Sequence, residues 1–491
     1  MARRLSAPVR ELAALLAVAA PDCALTGLSL DSRSITPGTL FLACRGTRAH
    51  GLEYLDRALA NGAAAVAWEP APGVAAPTAN VPTVAVPGLG AQASAIASRF
   101  YGQPSLALDV IGVTGTDGKT SIAYLLAQAL DTLGVACGYV GTLGHGRISC
   151  LDAGDQTTPD PVTLQRWLAE AADAGCAAVA IEVSSHALDQ RRTDGVRFAT
   201  RVLSNVGRDH LDYHGSEAAY AAAKRRLFDG PGSAILNLDD ARGRAWAGEL
   251  DDVIGYGVSA APQGRHVLAR DLHFDLEGLA FTAYGSFGEI RIASHLLGRF
   301  NVDNLLAVLA VLLSRGTRLE SAAEALAACC TVPGRMEGFR AVGGGPLLIV
   351  DYAHTPQALR SVLSAARAHC TGELSCVFGC GGDRDRGKRP LMGAVAAELA
   401  DHLVVTDDNP RSEDPTAITA QILQGVPLGL SVPVVHERAD AIAQAIASAG
   451  AADVIVVAGK GHEDYQIVGN QRRDFSDRRF VAEQLGLELR A

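Results

Sequence analysis

The chain has 491 residues, 48% of them hydrophobic, and a formal net charge of −10. That length predicts several domains with sizeable cores, and the acidic balance with scattered Lys and Arg argues against nucleic acid or an anionic membrane as the main partner. No apolar stretch reaches the ~20 residues of a membrane span, so none is expected.

The first element is an apolar run, Leu12–Ala20, behind Met1-Ala2-Arg3-Arg4. Arg10-Glu11 interrupts any signal-like pattern, which predicts a surface helix instead. Ten cysteines are spread singly apart from Cys329-Cys330, with no C-x-x-C. They are expected as small buried hydrophobes in a reducing cytosol, which places the protein in the cytoplasm. Two Pro/Gly-rich breaks, Pro70 to Gly90 and Pro333-Gly334 with Gly343–Pro346, divide the chain into three parts. The bounds are taken as 1–88, 89–336 and 337–491.

In the middle part an apolar run, Leu106–Val113, opens into Thr114-Gly115-Thr116-Asp117-Gly118-Lys119-Thr120, and a helix pattern follows to Leu133. Strand, glycine loop with Lys-Thr, then helix predicts a phosphate cradle. Glycines admit backbone N–H groups to the phosphates, Lys119 supplies a point charge and Thr120 can reach Mg²⁺. It is a variant loop, because five residues separate Gly112 from Gly118 where the strict pattern has four. Short apolar runs at Val110–Val113, Ala177–Ile181, Arg201–Leu203 and Ala234–Leu238 alternate with helical patterns at Val162–Ala174 and Glu217–Phe228. Residues 262–297 read as short alternating strands, an antiparallel edge. The last part repeats the rhythm at Leu347–Val350, Ser375–Phe378, Leu403–Val405 and Val454–Ala458. The fold class expected is α/β, with three domains, a central P-loop-type mostly parallel sheet and a C-terminal Rossmann-like domain.

Ligands of such sheets bind beyond the carboxyl ends of the strands. Four polar loops stand there in the last part: Asp351–His354, Gly379–Arg384, Asp407–Arg411 and Gly459–Glu463. In the middle part Glu182 closes a strand and is a candidate Mg²⁺ partner. His210 reads equally as a second metal ligand or as a structural His in a capped turn. Lys224, alone in a helix beside Arg225-Arg226, reads as a solvated charge with no role.

As a set these motifs resemble the Mur ligase family, over nearly the whole chain. The matching segments are Gly-Thr-Asp-Gly-Lys-Thr, Glu-Val-Ser-Ser-His, Asp209–Asp212, Asn301–Asn304, Pro333–Glu337 and Asp351–His354. Within it the chain resembles members that add diaminopimelate to a UDP-linked muramoyl dipeptide. The resemblance implies an N-terminal UDP-substrate domain, a central ATP domain and a C-terminal amino-acid domain. It assigns the phosphates of ATP to Gly115, Thr116, Asp117, Gly118, Lys119, Thr120 and Ser121, and the nucleotide to Asn304, Arg335, Asp351 and His354. Mg²⁺ falls to Thr120, Glu182 and His210, and a second Mg²⁺ to a carbamylated Lys224, which reverses the bland reading of that lysine. The UDP-substrate falls to Leu30, Ser32, Thr47, Arg48 and Ala49, and its dipeptide to Gln156, Thr157, Thr158, Ser184, Gln190 and Arg192. The incoming amino acid falls to Arg384, Asp408, Asn409, Pro410, Arg411, Gly459 and Glu463. Lys119, Lys224, His210 and Arg335 carry catalysis. Asp117 and Gln156 depart from the family's usual Asn at each place.

The chemistry implied is activation of the D-Glu γ-carboxylate by ATP, then attack by the amine of diaminopimelate, in cell-wall precursor synthesis. The partners are small molecules, and a monomer is expected. Arg411 favours diaminopimelate over L-lysine, because a guanidinium pairs with the extra carboxylate. A folylpolyglutamate synthetase would not need residues 1–88. A P-loop ATPase switch would leave the polar rim at 379–463 unexplained.

Overall fold

The computed structural model describes residues 8–46, 49–261 and 264–489. Thr47 and Arg48 lie outside them, as do Met1–Arg4 of the signal-like start and residues 262 and 263 of the expected antiparallel edge. The chain separates into two compact units, Met1–His266 with Ala310–Thr317, and Val267–Leu309 with Arg318–Ala491.

The first unit begins with helix α1 (Leu12–Leu16). The expected surface helix to Ala20 is shorter: Ala17 turns left-handed at φ 56. Nor is it only a surface element, since Leu12, Leu15 and Leu16 form one apolar stripe that is wholly buried. Four short parallel strands follow in chain order, β1 (Gly27–Ser29), β2 (Thr39–Ala43), β3 (Ala63–Trp68) and β4 (Thr83–Ala85). Helix α2 (Leu89–Phe100) packs into the same core.

The larger sheet of this unit contains β5 (Asp109–Thr114), β6 (Cys137–Gly141), β7 (Gly144–Arg147), β8 (Cys150–Asp152), β9 (Ala178–Glu182), β10 (Phe198–Leu203), β11 (Ser233–Asn237) and β12 (Val253–Gly257). Their order is β12-β11-β10-β5-β9-β6-β7-β8. Pairing is parallel from β12 to β6 and antiparallel at β7 and β8. Every residue of β9 is buried, which is why these strands read as unbroken apolar runs. The run expected from Leu106 becomes strand only at Asp109, because Pro104–Ala107 forms a helical turn and Leu106 is exposed. The chain returns from β6 to β9 and crosses β5 to reach β10, so the order reverses beside β5. Loops at the carboxyl end of β5 therefore border a crevice.

The second unit takes β13 (Arg265–Asp275) from Val267 on, and with β14 (Gly278–Gly285) and β15 (Gly288–Ser294) it forms the expected antiparallel meander. A six-stranded sheet follows: β16 (Glu337–Phe339), β17 (Leu347–Asp351), β18 (Leu374–Phe378), β19 (His402–Thr406), β20 (Val434–Val435) and β21 (Val454–Ala458). The order is β16-β17-β21-β18-β19-β20, with only β16 antiparallel. The four apolar runs read from the sequence are its four central strands. A hairpin, β22 (Tyr465–Val468) and β23 (Gln471–Asp474), stands apart.

Cys137, Cys176, Cys329, Cys376 and Cys380 are buried as expected, but Cys150 and Cys330 are exposed and three others half-buried. The two exposed cysteines correct the expectation for that pair. No disulfide forms among the described residues. No helix among them is long and apolar enough to cross a membrane.

Candidate active site

The phosphate loop leaves β5 and opens helix α3 (Lys119–Thr132), with Gly118 as its cap at φ 81. Gly115 sits so close to the segment after β10 that a Cβ there would stand 1.8 Å from Ser204 Oγ. That segment holds the loop's backbone. Thr116 N–H donates to Asn205 O at 2.9 Å, and Asp117 N–H to Asn205 Oδ1 at 3.0 Å. Asp117 is exposed, so the acidic residue in place of the family's Asn costs no burial.

Lys119 Nζ donates to the carbonyls of Gly115 and Thr116, both at 2.9 Å. Lys224, on helix α6 (Glu217–Arg225 here, after α4 at Pro161–Asp173 and α5 at Ser185–Asp189), donates to the same Gly115 carbonyl at 2.6 Å. Its ammonium lies 4.4 Å from the centre of the Tyr220 ring. The residue is 1% exposed, so the solvated-charge reading of Lys224 is wrong: the helix buries the face that carries it. Burial first, and the Lys119 charge second, push its pKa down to about 7. Burial also lowers Lys119, opposed by the Glu182 carboxylate. The neutral amine is the form that reacts with CO₂, and the lowered pKa brings that form within reach near neutral pH.

Thr120 Oγ1 donates to Glu182 Oε2 at 2.7 Å, and the other oxygen, Oε1, accepts from Tyr139 OH at 2.5 Å and Thr142 N–H at 2.8 Å. A buried carboxylate beside a hydroxyl is a hard oxygen pair suited to Mg²⁺. His210 is not joined to that pair by any hydrogen bond or ring contact among the described residues. It sits at φ 50, with its ring 4.8 Å from that of His186 and 6.2 Å from that of Tyr220. Among the described residues, no cluster of three His, Cys, Asp or Glu has metal-binding geometry.

The segments expected to hold the dipeptide form one network. Arg192 Nη1 donates to Gln156 Oε1 and Thr158 O, both at 2.6 Å, and Nη2 to Gln190 Oε1 at 2.6 Å. Thr158 Oγ1 donates to Glu182 O at 2.7 Å and accepts from Ser184 N–H at 3.0 Å. Thr157 Oγ1 and Thr142 Oγ1 are 3.0 Å apart, and Thr142 Oγ1 donates to Glu182 Oε2 at 3.2 Å. Thus Thr120 directly and Thr157 through Thr142 are linked to one carboxylate.

Leu30 and Ser32 line a cleft of about 950 Å³ bordered by Arg33, Arg57 and, from the central sheet's side, Asp160 and Arg166. Ala49 accepts Gly46 N–H through its carbonyl, and does not line this cleft.

In the second unit Asp351 is buried at the end of β17, where its carboxylate accepts Met336 N–H and Ala353 N–H at 2.8 Å each. Burial raises its pKa, against those bonds and the Arg335 charge. Arg335 stands 5.2 Å from the Tyr352 ring, and His354 packs edge-on against the same ring. Asn304, on the helix Phe300–Ser314, is buried and donates to Asn301 Oδ1 at 2.8 Å.

The loops after β18, β19 and β21 meet. Arg411, left-handed at φ 53, donates from Nη1 to Gly382 O at 2.8 Å, and Arg384 from Nη1 to Asp383 O at 3.1 Å. Neither guanidinium forms an ion pair among the described residues, although the Arg411 charge helps to lower the pKa of the Asp383 carboxyl. The carbonyl of Pro410 lies so close to Gly382 that a Cβ there would stand 1.8 Å from it. A Cβ on Gly459 would meet Asp408 Oδ2 at 2.7 Å. Asn409 Nδ2 donates to Glu463 Oε2 at 2.9 Å.

Sequence reasoning missed Tyr139, Thr142 and Tyr220. They sit in the middle of β6, just past it, and on α6, with no motif of their own. Only the strand order and helix packing bring them to Glu182 and Lys224.

Comparison with known proteins gives one answer. The description "Mur ligase middle domain" matches residues 113–312, "Mur ligase, glutamate ligase domain" 334–461, and "Mur ligase family, catalytic domain" 24–101. The chain is 53% identical over 482 residues to a UDP-N-acetylmuramoyl-L-alanyl-D-glutamate–2,6-diaminopimelate ligase of Alkalilimnicola ehrlichii, covering 96% of each. It is 50% identical over 460 residues to the protein of that name from Pseudomonas aeruginosa, covering 93% of this chain and 94% of that one. A solved structure bearing that name aligns with a TM-score of 0.77 at 34% identity, over 98% of this chain and 99% of the other. A folylpolyglutamate synthase of Mycobacterium tuberculosis, solved with ADP and AMPPCP, shares the fold at TM-score 0.56 and 20% identity, over 75% of this chain and 92% of its own.

Proposed function

The chain belongs to the Mur ligase family, and we propose that it joins meso-diaminopimelate to the D-Glu γ-carboxylate of UDP-N-acetylmuramoyl-L-Ala-D-Glu at the expense of ATP, in peptidoglycan precursor synthesis. The observation that carries this reading is the shared Glu182 carboxylate. Thr120 of the phosphate loop and, through Thr142, Thr157 of the dipeptide segment are bonded to it. A γ-phosphoryl group held by the loop is thereby beside the segment that would present the acceptor.

A γ-carboxylate oxygen attacks the γ-phosphorus and the bond to ADP breaks, leaving an acyl phosphate. The amine of diaminopimelate then attacks the acyl carbon, phosphate leaves and the nitrogen loses its proton. Side chains mainly orient and neutralise. Lys119 faces developing charge on the γ-phosphoryl oxygens, and Gln156, Thr158, Ser184, Gln190 and Arg192 fix the dipeptide. Mg²⁺, when bound, would neutralise phosphate charge: Thr120, Glu182 and His210 would hold one ion, and carbamylated Lys224 would position a second. Leu30, Ser32, Thr47, Arg48 and Ala49 take the UDP end. Asn304, Arg335, Asp351 and His354 take the nucleotide. Arg384, Asp408–Arg411, Gly459 and Glu463 take diaminopimelate. The working unit is a monomer in the cytoplasm, where ATP and UDP-linked precursors occur. It has three functional parts, bounded near 88 and 336.

The test is phosphate release with ATP, Mg²⁺ and the UDP-dipeptide, with meso-diaminopimelate or L-lysine in parallel. Release only with diaminopimelate, and a product heavier by that residue, is the expected result. Release with lysine would overturn the amino-acid choice, and release with neither added would indicate an ATPase switch.

A further inference from the structure

Lys460 follows β21 at the centre of the second unit's sheet, and its side chain has no exposed surface. A buried ammonium is costly unless its protons find acceptors. It has two: Glu463 Oε2 at 3.1 Å and Asn409 Oδ1 at 3.4 Å. It also lies 5.5 Å from the centre of the Tyr465 ring.

These bonds decide the orientation of both neighbours. Asn409 Oδ1 accepts from Lys460 and from Ile467 N–H at 2.9 Å. A flipped amide would set its NH₂ against two donors, so Nδ2 must face Glu463 Oε2. Oε2 is then claimed by two donors. Among the described residues nothing donates to Oε1. The site therefore offers one carboxylate oxygen with open acceptor capacity, in the same loop cluster that carries the Arg384 and Arg411 guanidinium groups.

We propose that Lys460 is a positioning residue of the amino-acid site: it clamps the Asn409 amide and one oxygen of Glu463, so that Oε1 receives an ammonium group of the incoming amino acid. Lys460 itself does not touch the substrate. This rests on the diaminopimelate reading above.

The test is steady-state kinetics of the full chain for wild type, Lys460→Met, Glu463→Gln and the double variant, with thermal melting alongside. Lys460→Met is expected to raise the diaminopimelate KM by about tenfold or more, as small misplacements of binding groups do. The ATP KM stays unchanged. In the Glu463→Gln background the same substitution adds little further, because the two residues act as one unit. Independent, additive penalties would overturn the proposal, as would an unchanged diaminopimelate KM or an equal rise in both KM values. If Lys460→Met does not fold, the double variant decides, since it removes both charges together. A folded double variant matching Glu463→Gln alone supports the proposal, and one that also fails to fold assigns Lys460 to structure and overturns it. Wild type inactive with diaminopimelate overturns the parent reading instead.

Discussion

Lys119 and Lys224 donate to the same atom, the Gly115 carbonyl oxygen, at 2.9 and 2.6 Å. One lysine belongs to the phosphate loop and the other to a helix more than a hundred residues later, yet a single peptide group joins them. Two like charges on one acceptor favour a neutral amine on the more buried partner, and that is Lys224. A neutral amine can add CO₂, forming an N–C bond and releasing one proton. We expect the intact protein to carry one CO₂ adduct at Lys224 in bicarbonate buffer, and Lys224→Arg to lose turnover while still binding nucleotide. Full turnover by Lys224→Arg would remove the residue from catalysis.

The same burial makes a stability prediction. The folded chain holds the Lys224 proton only to about pH 7, the unfolded chain to the ordinary lysine value of about 10.4. Between those values the unfolded state binds more protons, so this group's contribution to stability rises with pH across that window. Below it the fold carries the full penalty of a buried ammonium. Denaturant melts at about pH 7 and about pH 9 should show a larger gain for wild type than for Lys224→Met. Parallel behaviour would mean that Lys224 titrates as an exposed lysine.

Glu182→Gln keeps the shape at the end of β9 but removes the charge that Thr120, Tyr139 and Thr142 surround. Turnover should fall on the order of 100-fold, the scale for losing one preorganised electrostatic contact. The KM for the UDP-dipeptide should change far less. Single-turnover acyl phosphate formation separates the two, and an unaltered rate would dismiss the shared-carboxylate argument.

Arg411→Ala removes a guanidinium held open by its bond to Gly382 O. Leaving the distal carboxylate of diaminopimelate unpaired should cost about 2–5 kcal/mol, seen in the KM for that amino acid and not for ATP. An unchanged amino-acid KM would sink the idea.

Gly115→Ala would place a methyl group 1.8 Å from Ser204 Oγ and 3.1 Å from Asn205 N. The second contact is backbone, so the loop must move away from the segment that anchors it. ATP affinity should drop sharply, measurable by calorimetry, with the melting temperature lowered only slightly.

Much of this molecule was legible in the linear chain. The strand runs Val110–Val113, Ala177–Ile181 and Val454–Ala458 are apolar because parallel strands are covered on both faces, and that requirement is written residue by residue. The loops between them had to be polar, and Gly-Lys-Thr before a helix states its chemistry locally. The surroundings of Lys224, His210 and Tyr139, and the burial of α1, were not legible in this way. A lone lysine in a helix carries no sign of which face is buried. His210 gives no sign that its ring contacts lie with His186 rather than with Thr120 and Glu182. Tyr139 reaches Glu182 only because β6 pairs with β9, a neighbour some forty residues further on. Sequence by itself determined which segments are strands, helices and ligand loops, since those follow from local periodicity and backbone freedom. Tertiary structure alone decided which side chains share an acceptor, because strand order and helix packing join positions that no local pattern relates.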